Sequence, residues 1–241
     1  RHPFLSRILF NPVITALTKP EIQYSVALSL ISCTVTAIIS LWIAVPLGYL
    51  LSRYSFFGRG LIDAILDIPI VLPPLVVGLS LLILFQFAPD LTIGGEVYSI
   101  RNAIVFQVPA VVLAQFMVAA AFAVRVMRAT FDQVDPRPEQ VALTLGCNQA
   151  QAFWRVVLPQ CGNGMLTAGT LSWARSLGEF GPLLIFAGAT RMKTEVLSTT
   201  VFLELSIGNL EGAVAVSLLM VACAVIVLMI ARMWGSGGLS L

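Results

Sequence analysis

The chain has 241 residues, of which 58% are apolar and only 11% are charged, whereas an average soluble domain is roughly 45–50% apolar and about 25% charged. This composition argues against a soluble enzyme and against a disordered chain, which needs low hydrophobicity and high charge. The net charge of +2 is too small for a nucleic-acid-binding protein that neutralises phosphates. The remaining class is a membrane protein surrounded by lipid.

Charge-free runs predict where the chain crosses the membrane, since a spanning helix needs about 20 mostly apolar residues. Four such runs predict helices near 24–51, 61–87, 102–124 and 211–232, and a fifth candidate at 161–187 is interrupted by Arg175 and Glu179. The runs are continuous rather than alternating, so they favour helices. We therefore predict an all-α integral membrane protein with five visible spans: an extracytoplasmic segment 1–23, a transmembrane domain 24–233 and a cytoplasmic tail 234–241.

The positive charges beside the spans predict the orientation, because cytoplasmic loops are enriched in Lys and Arg. Seven arginines fall in one set of loops and three basic residues in the other, which places the first set in the cytoplasm and the N-terminal tail outside. An outside N-terminus without a cleaved signal is awkward for insertion of five spans. We therefore expect a sixth helix ahead of Arg1.

Residues for catalysis or metal binding are scarce. The sole histidine is His2, and the four cysteines have no metal-ligand spacing, so neither a metal site nor a nucleophile–base set is expected. Asp63 and Asp67 lie at the end of a span and are interpreted as capping or solvated. With two lysines and no Gly-rich phosphate-binding motif, the chain is not expected to bind ATP or to be an enzyme.

The cytoplasmic stretch 125–160 carries start and stop signals for two short helices. Its Asp and Asn caps and its Gly stop are typical of helix ends. The signals are Asp135 with Pro136, then Gly146 as a left-handed stop, then Asn148 with Gln151 as a capping box, and an end before Pro159. A helix held this way can dock into a partner's groove, but it can equally be a plain amphipathic linker.

Two spans contain helix-breaking residues. Pro69, Pro73 and Pro74 remove backbone donors, and such breaks are tolerated in lipid only where protein or water satisfies the freed carbonyls. They indicate an interior face that either lines a path or is a structural kink.

Gly178 and Gly181-Pro182 break the 161–187 candidate. A half-helix that began near Pro182 would aim its positive end at the break, where an anion could pass.

The 161–187 candidate also contains an ionic pair and a stripe of small residues. Arg175 and Glu179 are four apart, so they can pair on one helix face, and the high cost of a lone charge in lipid predicts that they do. Whether the pair is a gate or a structural clamp stays open. The stripe predicts close packing against another helix; its members are Gly164, Ala168, Ser172 and Ser176.

The segment 135–159 contains the run EQVALTLG at 139–146 and the run VVLP at 156–159. With these two runs it resembles the EAA loop of ABC-transporter permeases. That loop has a Glu-Ala-Ala-like triplet, then a Gly, and ten residues later an Ile-x-Leu-Pro ending. Here the chain reads EQVALTLG and ends VVLP with the same spacing. The corresponding positions are Gln140, Val141 and Ala142 for the triplet, with Glu139 standing in for the shifted acid, then Gly146, and Val156, Leu158 and Pro159 for the end. The resemblance implies a coupling helix that binds the ATPase subunit.

Two further runs, IPIVLPPLVVG at 68–78 and LGEFG at 177–181, are similar to runs in molybdate and tungstate permeases, and less so to those of sulfate permeases. Pro182 departs from the small residue usual after the second run. The resemblance implies a type I ABC importer permease fold. It also makes Pro73, Pro74, Arg175, Gly178, Glu179, Gly181 and Pro182 candidates for the translocation path or gate.

The function implied by the resemblance is the membrane subunit of an ATP-driven importer for a tetrahedral oxyanion, molybdate or tungstate first. The implied partners are a second copy of the chain, ATPase subunits that bind ATP and Mg²⁺, and an extracytoplasmic substrate-binding protein, all at a bacterial or archaeal plasma membrane. Two alternatives stay open. One is a sulfate or thiosulfate ABC permease; the other is a secondary transporter without an ATPase, in which Glu179 could carry protons.

Overall fold

The computed structural model describes residues 18–93 and 96–236. The described chain is nearly all helical, as predicted, with one short hairpin. Its elements are α1 Pro20–Arg53, α2 Arg59–Val71, α3 Pro74–Gln86, β1 Asp90–Ile93, β2 Glu96–Ser99, α4 Ile100–Ile104, α5 Val108–Gln133, α6 Arg137–Thr144, α7 Gln149–Ala152, a π-helical turn Phe153–Val157, α8 Leu158–Gln160, α9 Gly162–Leu177, a π-helical turn Leu183–Ala187, α10 Leu197–Ser206 and α11 Leu210–Ser236.

Within the described ranges, three helices are long and apolar enough to cross a membrane: α1, α5 and residues Leu210–Met233 of α11. Helices α2 and α3 are together long and apolar enough for a fourth crossing if they form one broken span. The angle between them at the break is 115°. The predicted span 61–87 is therefore not one straight helix. Its prolines explain the bend, because Pro73 and Pro74 lack the N–H groups that would continue the α2 ladder.

The predicted span 102–124 was placed too early in the chain. A turn divides the apolar run, since Phe106 has a φ of 58°, and α5 begins at Val108 with Pro109 in its first turn. The helix then continues nine residues past 124, to Gln133. In this extension Arg125 and Arg128 pair with Asp67 and Asp63 of α2.

Other helix boundaries shift less. Helix α1 begins at Pro20 rather than 24, with Pro in its first turn and Glu21 at the favourable end of the helix dipole. Helix α11 ends at Ser236, four residues beyond the prediction. Most of the predicted N-terminal segment and the end of the predicted tail lie outside the described residues.

The hairpin was not expected from the sequence. Strands β1 and β2 pair antiparallel, with Asp90 opposite Ser99 and Ile93 opposite Glu96. Gly94-Gly95 stands between them in the sequence, and this dipeptide is typical of a two-residue hairpin connection. We refer to this end of the bundle, where α1 and α5 begin, as the hairpin end. The opposite end carries residues 134–160 and is called the segment end.

Helices α1 and α5 form the centre of the bundle and run parallel, because the start of each lies at the hairpin end and the end of each at the segment end. Gly48 of α1 lies directly against α5, since a Cβ at this position would be 2.9 Å from both the Cβ of Met127 and the N of Arg128. Buried apolar residues of both helices, including Ala44, Leu51, Met127 and Phe131, continue this contact to the segment end. The pair therefore has no space to slide at that end.

The predicted small-residue stripe of α9 is the face that packs on α5. Gly164 sits against the side chain of Thr130 with no room for a Cβ. Ala168 belongs to the buried cluster at the segment end, and the Ser172 hydroxyl donates to the carbonyl of Ala119 at 3.5 Å. The close-packing interpretation is confirmed.

Candidate functional site

The 134–160 segment folds as two capped helices, as predicted. The Asp135 carboxylate accepts from the Arg137 N–H at 3.0 Å, although helix α6 begins at Arg137 rather than Pro136. Gly146 ends α6 with a φ of +90°, and the Cys147 N–H donates to the carbonyl of Ala142 at 3.1 Å. This is the Schellman arrangement, which needs a left-handed residue.

A reciprocal capping box begins the second helix. The Asn148 side chain accepts from the Gln151 N–H at 2.8 Å, and the Gln151 side chain accepts from the Asn148 N–H at 3.1 Å. The predicted end before Pro159 is wrong, because helical backbone continues through Leu158–Gln160. The π-helical turn Phe153–Val157 precedes the proline, and such a wider turn accommodates a residue that cannot donate to the usual acceptor.

The segment presents an apolar surface that no described residue covers. Leu145 is 80% exposed and Trp154 is 66% exposed, and Val141 is also exposed. Exposed apolar side chains on short, well-capped helices are typical of a docking surface. Of the candidate coupling residues, Gln140, Gly146 and Pro159 are exposed, Val156 and Leu158 are partly buried, and Ala142 is buried.

Glu139 differs from its neighbours because its carboxylate faces the bundle. Its side chain is only 13% exposed. The Tyr49 hydroxyl donates to Oε1, and the Nε of Arg53 lies 3.7 Å from Oε2. Tyr49 and Arg53 belong to α1 and were not among the predicted site residues. The sequence does contain one indication of this site: the two residues are four apart, and so on one helix face, at the end of a predicted span.

The two predicted breaks in the chain pack directly on each other. A Cβ on Gly181 would lie 2.8 Å from the Cβ of Pro74, and a Cβ on Gly78 would lie 2.7 Å from the Cα of Pro182. The break between α2 and α3 therefore crosses the 178–182 break through two reciprocal glycine contacts. The structure brings Pro74, Gly181 and Pro182 together, while Pro73 and Gly178 are exposed at the edges of the two breaks.

Arg175 and Glu179 form the predicted ion pair, with 2.7 Å between Nη1 and Oε2. Glu179 is only 1% exposed, whereas Arg175 reaches the surface and lies 5.8 Å from the ring centroid of Phe122 on α5. The Ser198 hydroxyl donates to the Glu179 carbonyl at 2.7 Å. The pair thus links α9, α5 and α10, which favours a structural clamp over a free gate.

The half-helix expected after Pro182 is very short. Helical backbone covers residues 181–187, and its main part is the π-helical turn Leu183–Ala187. So short a helix has little dipole to attract an anion, since the macrodipole is a sum over aligned peptide units. The geometry therefore does not support an anion site at this helix end.

Asp63 and Asp67 are ion-paired rather than merely capping or solvated. The Nη1 of Arg128 lies 2.6 Å from Oδ1 of Asp63, and the Nε of Arg125 donates to Oδ1 of Asp67 at 3.0 Å. With Asp132 they line a cavity of about 490 Å³ at the segment end. These pairs line the cavity and join α2 to α5.

A second ionic cluster lies at the hairpin end and was also not predicted. Arg191 pairs with Glu21, and its Nη2 lies 3.0 Å from Oε1 of the buried Glu204. Glu195 beside them is fully buried, and neither carboxylate oxygen has a hydrogen-bond partner in the described chain. Burial raises the pKa of Glu195, and Thr200 and Arg191 lower it only in part. Isolated acids in an apolar sequence were the available signal.

Comparison with known proteins gives a family match over most of the chain. The family described as "Binding-protein-dependent transport system inner membrane component" matches residues 44–235. The sulfate transport system permease protein CysT of Salmonella typhimurium is 29% identical over 224 residues, which are 93% of this chain and 80% of the relative. The molybdate/tungstate transport system permease protein WtpB of Pyrococcus abyssi is 35% identical over 178 residues, which are 74% of this chain and 66% of the relative.

A third relative and two solved structures agree with this match. The molybdenum transport system permease protein ModB of Mycobacterium tuberculosis is 34% identical over 214 residues, covering 88% of this chain and 80% of the relative. A bacterial ABC transporter that imports the acidic polysaccharide alginate has a TM-score of 0.74 at 15% identity, covering 96% of this chain and 84% of that chain. An amino acid ABC transporter has a TM-score of 0.56 at 17% identity, covering 98% and 99%. At these identities the structures establish the fold.

Proposed function

Since the chain belongs to the family of binding-protein-dependent inner membrane components and is thus a membrane permease subunit of an ABC importer, we propose that it imports a tetrahedral oxyanion. The resemblance of its 68–78 and 177–181 runs to those of molybdate and tungstate permeases favours molybdate or tungstate. The relatives WtpB and ModB, named for molybdate, tungstate or molybdenum transport, support this choice.

The observation that carries the proposal is the exposed face of the 134–160 segment. Leu145 and Trp154 present apolar surface to the solvent on either side of the Gly146 stop and the Asn148–Gln151 capping box. Such a face fits a groove in an ATPase subunit, which would bind ATP and Mg²⁺ and hydrolyse the nucleotide. In this proposal Gln140, Gly146, Val156, Leu158 and Pro159 shape or contact that interface, and Ala142 supports it from within.

The translocation path is proposed to lie between two copies of the chain. The three or four spans of the described residues leave little room for a path inside one copy, and α11 leaves much of its apolar surface unburied. The crossing formed by Pro74, Gly181 and Pro182, with the clamp of Arg175 and Glu179, would reorient when the ATPase subunits close. Pro73 and Gly178 are the exposed positions at its edges. A soluble binding protein would deliver the anion at the hairpin end.

Sulfate is the second candidate substrate, because the CysT relative aligns over a larger share of this chain than WtpB does. Sulfate and molybdate have the same charge and tetrahedral shape, so weak contacts along a path would discriminate little between them. Recognition of the anion would then lie mainly with the binding protein.

Co-purification tests the ATPase interface. The chain is expressed with its full operon in its native host, and a stoichiometric ATPase subunit is expected to stay bound in mild detergent. Gly146→Val should weaken this association or uncouple ATP hydrolysis from transport, since a non-glycine residue at positive φ costs roughly 1–2 kcal/mol. Gly58→Val is the matched control, because Gly58 also has a positive φ of +96° and open space around it but lies outside the segment.

Uptake by proteoliposomes tests the substrate. The reconstituted transporter is supplied with its binding protein, ATP and radiolabelled molybdate, and unlabelled tungstate and sulfate compete in parallel. We expect ATP-dependent uptake of molybdate that tungstate suppresses at lower concentration than sulfate. Uptake that sulfate suppresses best would assign the chain to sulfate, and uptake that persists without ATP would favour a secondary transporter.

A further inference from the structure

Tyr49 lies where three parts of the fold meet at the segment end. It is one turn before the end of α1, and its hydroxyl donates to the Glu139 carboxylate of α6. The same ring packs edge-on against Phe153 of the π-helical turn, with centroids 4.7 Å apart, and against Phe131 of α5, with centroids 5.6 Å apart. One side chain therefore contacts both halves of the 134–160 segment and the last turns of both central helices.

Arg53 adds a second contact between α1 and the segment. It lies four residues after Tyr49 on the same face of α1, and its Nη2 donates to the carbonyl of Val134 at 2.8 Å. Its Nε lies 3.7 Å from the Glu139 carboxylate, too far for a hydrogen bond but close enough for ionic attraction. Glu139 is thus held by one hydrogen bond and one ionic contact, both from α1.

Helix α1 cannot move independently of α5. Gly48, next to Tyr49, allows the backbones of α1 and α5 to approach until no Cβ would fit between them. A displacement of α6 that pulls on Tyr49 must therefore move α1 and α5 together. Packed interiors transmit such displacements because they are dense and nearly incompressible.

We propose that Tyr49, bound to Glu139 and supported by Arg53, is a positioning residue that transmits movement of the 134–160 segment to the α1–α5 pair. The inference rests on the proposed function, because an ATPase subunit must supply the movement. It also gives Glu139 a role different from docking. Glu139 faces inward and joins the segment to the spans, while its exposed neighbour Gln140 is free to meet the partner.

The test uses the complete transporter in proteoliposomes and measures anion transported per ATP hydrolysed. Tyr49→Phe keeps the aromatic packing and removes only the hydroxyl. We expect an intact complex whose transport-to-hydrolysis ratio falls roughly tenfold, the scale of one lost hydrogen bond to a charged group. Tyr24→Phe is the matched control: it removes one hydroxyl that donates at 2.9 Å to the Lys193 carbonyl, at the other end of the same helix.

The variant Glu139→Gln and the double variant Tyr49→Phe/Glu139→Gln test whether Glu139 is the residue through which Tyr49 acts. If the two residues act through one bond, the double variant should lose less than the sum of the two single losses. An intact complex in which Tyr49→Phe leaves the ratio unchanged, or in which Tyr24→Phe lowers it equally, would overturn the inference alone. Loss of assembly in Tyr49→Phe would assign the residue a structural role and also overturn it. Absence of any ATPase bound to the unaltered chain would overturn the proposed function and the inference with it.

Discussion

The environment of Glu195 disfavours the charged form of its carboxyl group. Both of its oxygens are buried without a hydrogen-bond partner in the described chain. Glu204 contributes negative charge nearby, and Glu204 and Glu21 both pair with Arg191. Arg191 is the cation that faces this group, but it already pairs with those two glutamates. Burial of a carboxylate under these conditions favours its protonated form.

The raised pKa predicts how stability depends on pH. A carboxyl group with a raised native pKa holds its proton more firmly in the folded than in the unfolded chain. The contribution of this group to the free energy of unfolding is therefore complete below its ordinary pKa of 4.5. That contribution is lost as the pH rises from 4.5 through the pKa of the folded state. Each unit of difference corresponds to about 1.4 kcal/mol.

We expect Glu195→Gln to flatten this dependence, so that its thermal midpoint in detergent exceeds that of the unaltered chain at alkaline pH but not at acidic pH. Scanning fluorimetry over a pH series is the measurement. Glu211→Gln, at an exposed position on α11, is the control and should leave the pH profile unchanged. Parallel profiles for the Glu195 variant and the unaltered chain would contradict the interpretation.

At the scale of elements, the structure turns on the crossing of two broken helices. Pro74 and Pro182 end or begin helical backbone, and Gly78 and Gly181 let the two breaks touch. The prolines were recognised from the sequence as breaks because their effect is local. The contact between them depends on residues about a hundred positions apart, which no local pattern encodes.

The crossing predicts a strong effect of a single methyl group. Gly181→Ala would place a Cβ 2.8 Å from Pro74 Cβ and 3.0 Å from Leu75 N, so backbone must shift, at a cost of about 1–3 kcal/mol. We expect a lower thermal midpoint and at least severalfold slower uptake. Gly162→Ala is the control, since nothing lies within 4 Å of its added Cβ. Equal thermal midpoints and uptake rates of the two variants would show that the backbone at the crossing shifts at little cost, which would contradict the prediction.

At the scale of the whole molecule, α1 and α5 join the buried clusters from the hairpin end to the segment end. Leu28 and Val111 belong to the cluster at one end, and Leu51 and Phe131 to the cluster at the other. Helix α11 packs on one side only and is largely exposed. Such a bundle has a rigid centre and an apolar outer surface available to lipid or to a second copy.

The orientation of this bundle is a prediction that Cys147 can test. This partly exposed cysteine lies in the 134–160 segment, whereas Cys33 and Cys161 are buried and the partly exposed Cys223 lies in the middle of the spanning helix α11. A charged maleimide cannot cross the hydrocarbon, so it should label the chain, expressed without its partners, in inside-out vesicles and not in right-side-out vesicles. Cys147→Ser should abolish that labelling. Labelling of Cys147 in right-side-out vesicles would invert the topology.

Much of the candidate site was predictable because its signals are short-range. The Gly146 stop and the Asn148–Gln151 capping box each depend on backbone groups within a few residues, so local sequence determines them. The Arg175–Glu179 pair is one helical turn apart and was predicted for the same reason. The misplaced start of α5 and the helical backbone beyond Pro159 show where hydropathy and proline rules fail, since packing and a π-helical turn override both.

The sequence alone determined that this is a helical membrane protein with a capped segment between two spans, because bilayer thickness and helix ends impose local patterns on the chain. Only the tertiary structure decided which faces meet. The inward direction of Glu139 toward Tyr49, the contact of Gly181 with Pro74 and the burial of Glu195 all join residues brought together by packing of whole helices. One sequence does not state those pairings, since many helix faces are equally apolar and the choice among them is made by the fit of the complete bundle.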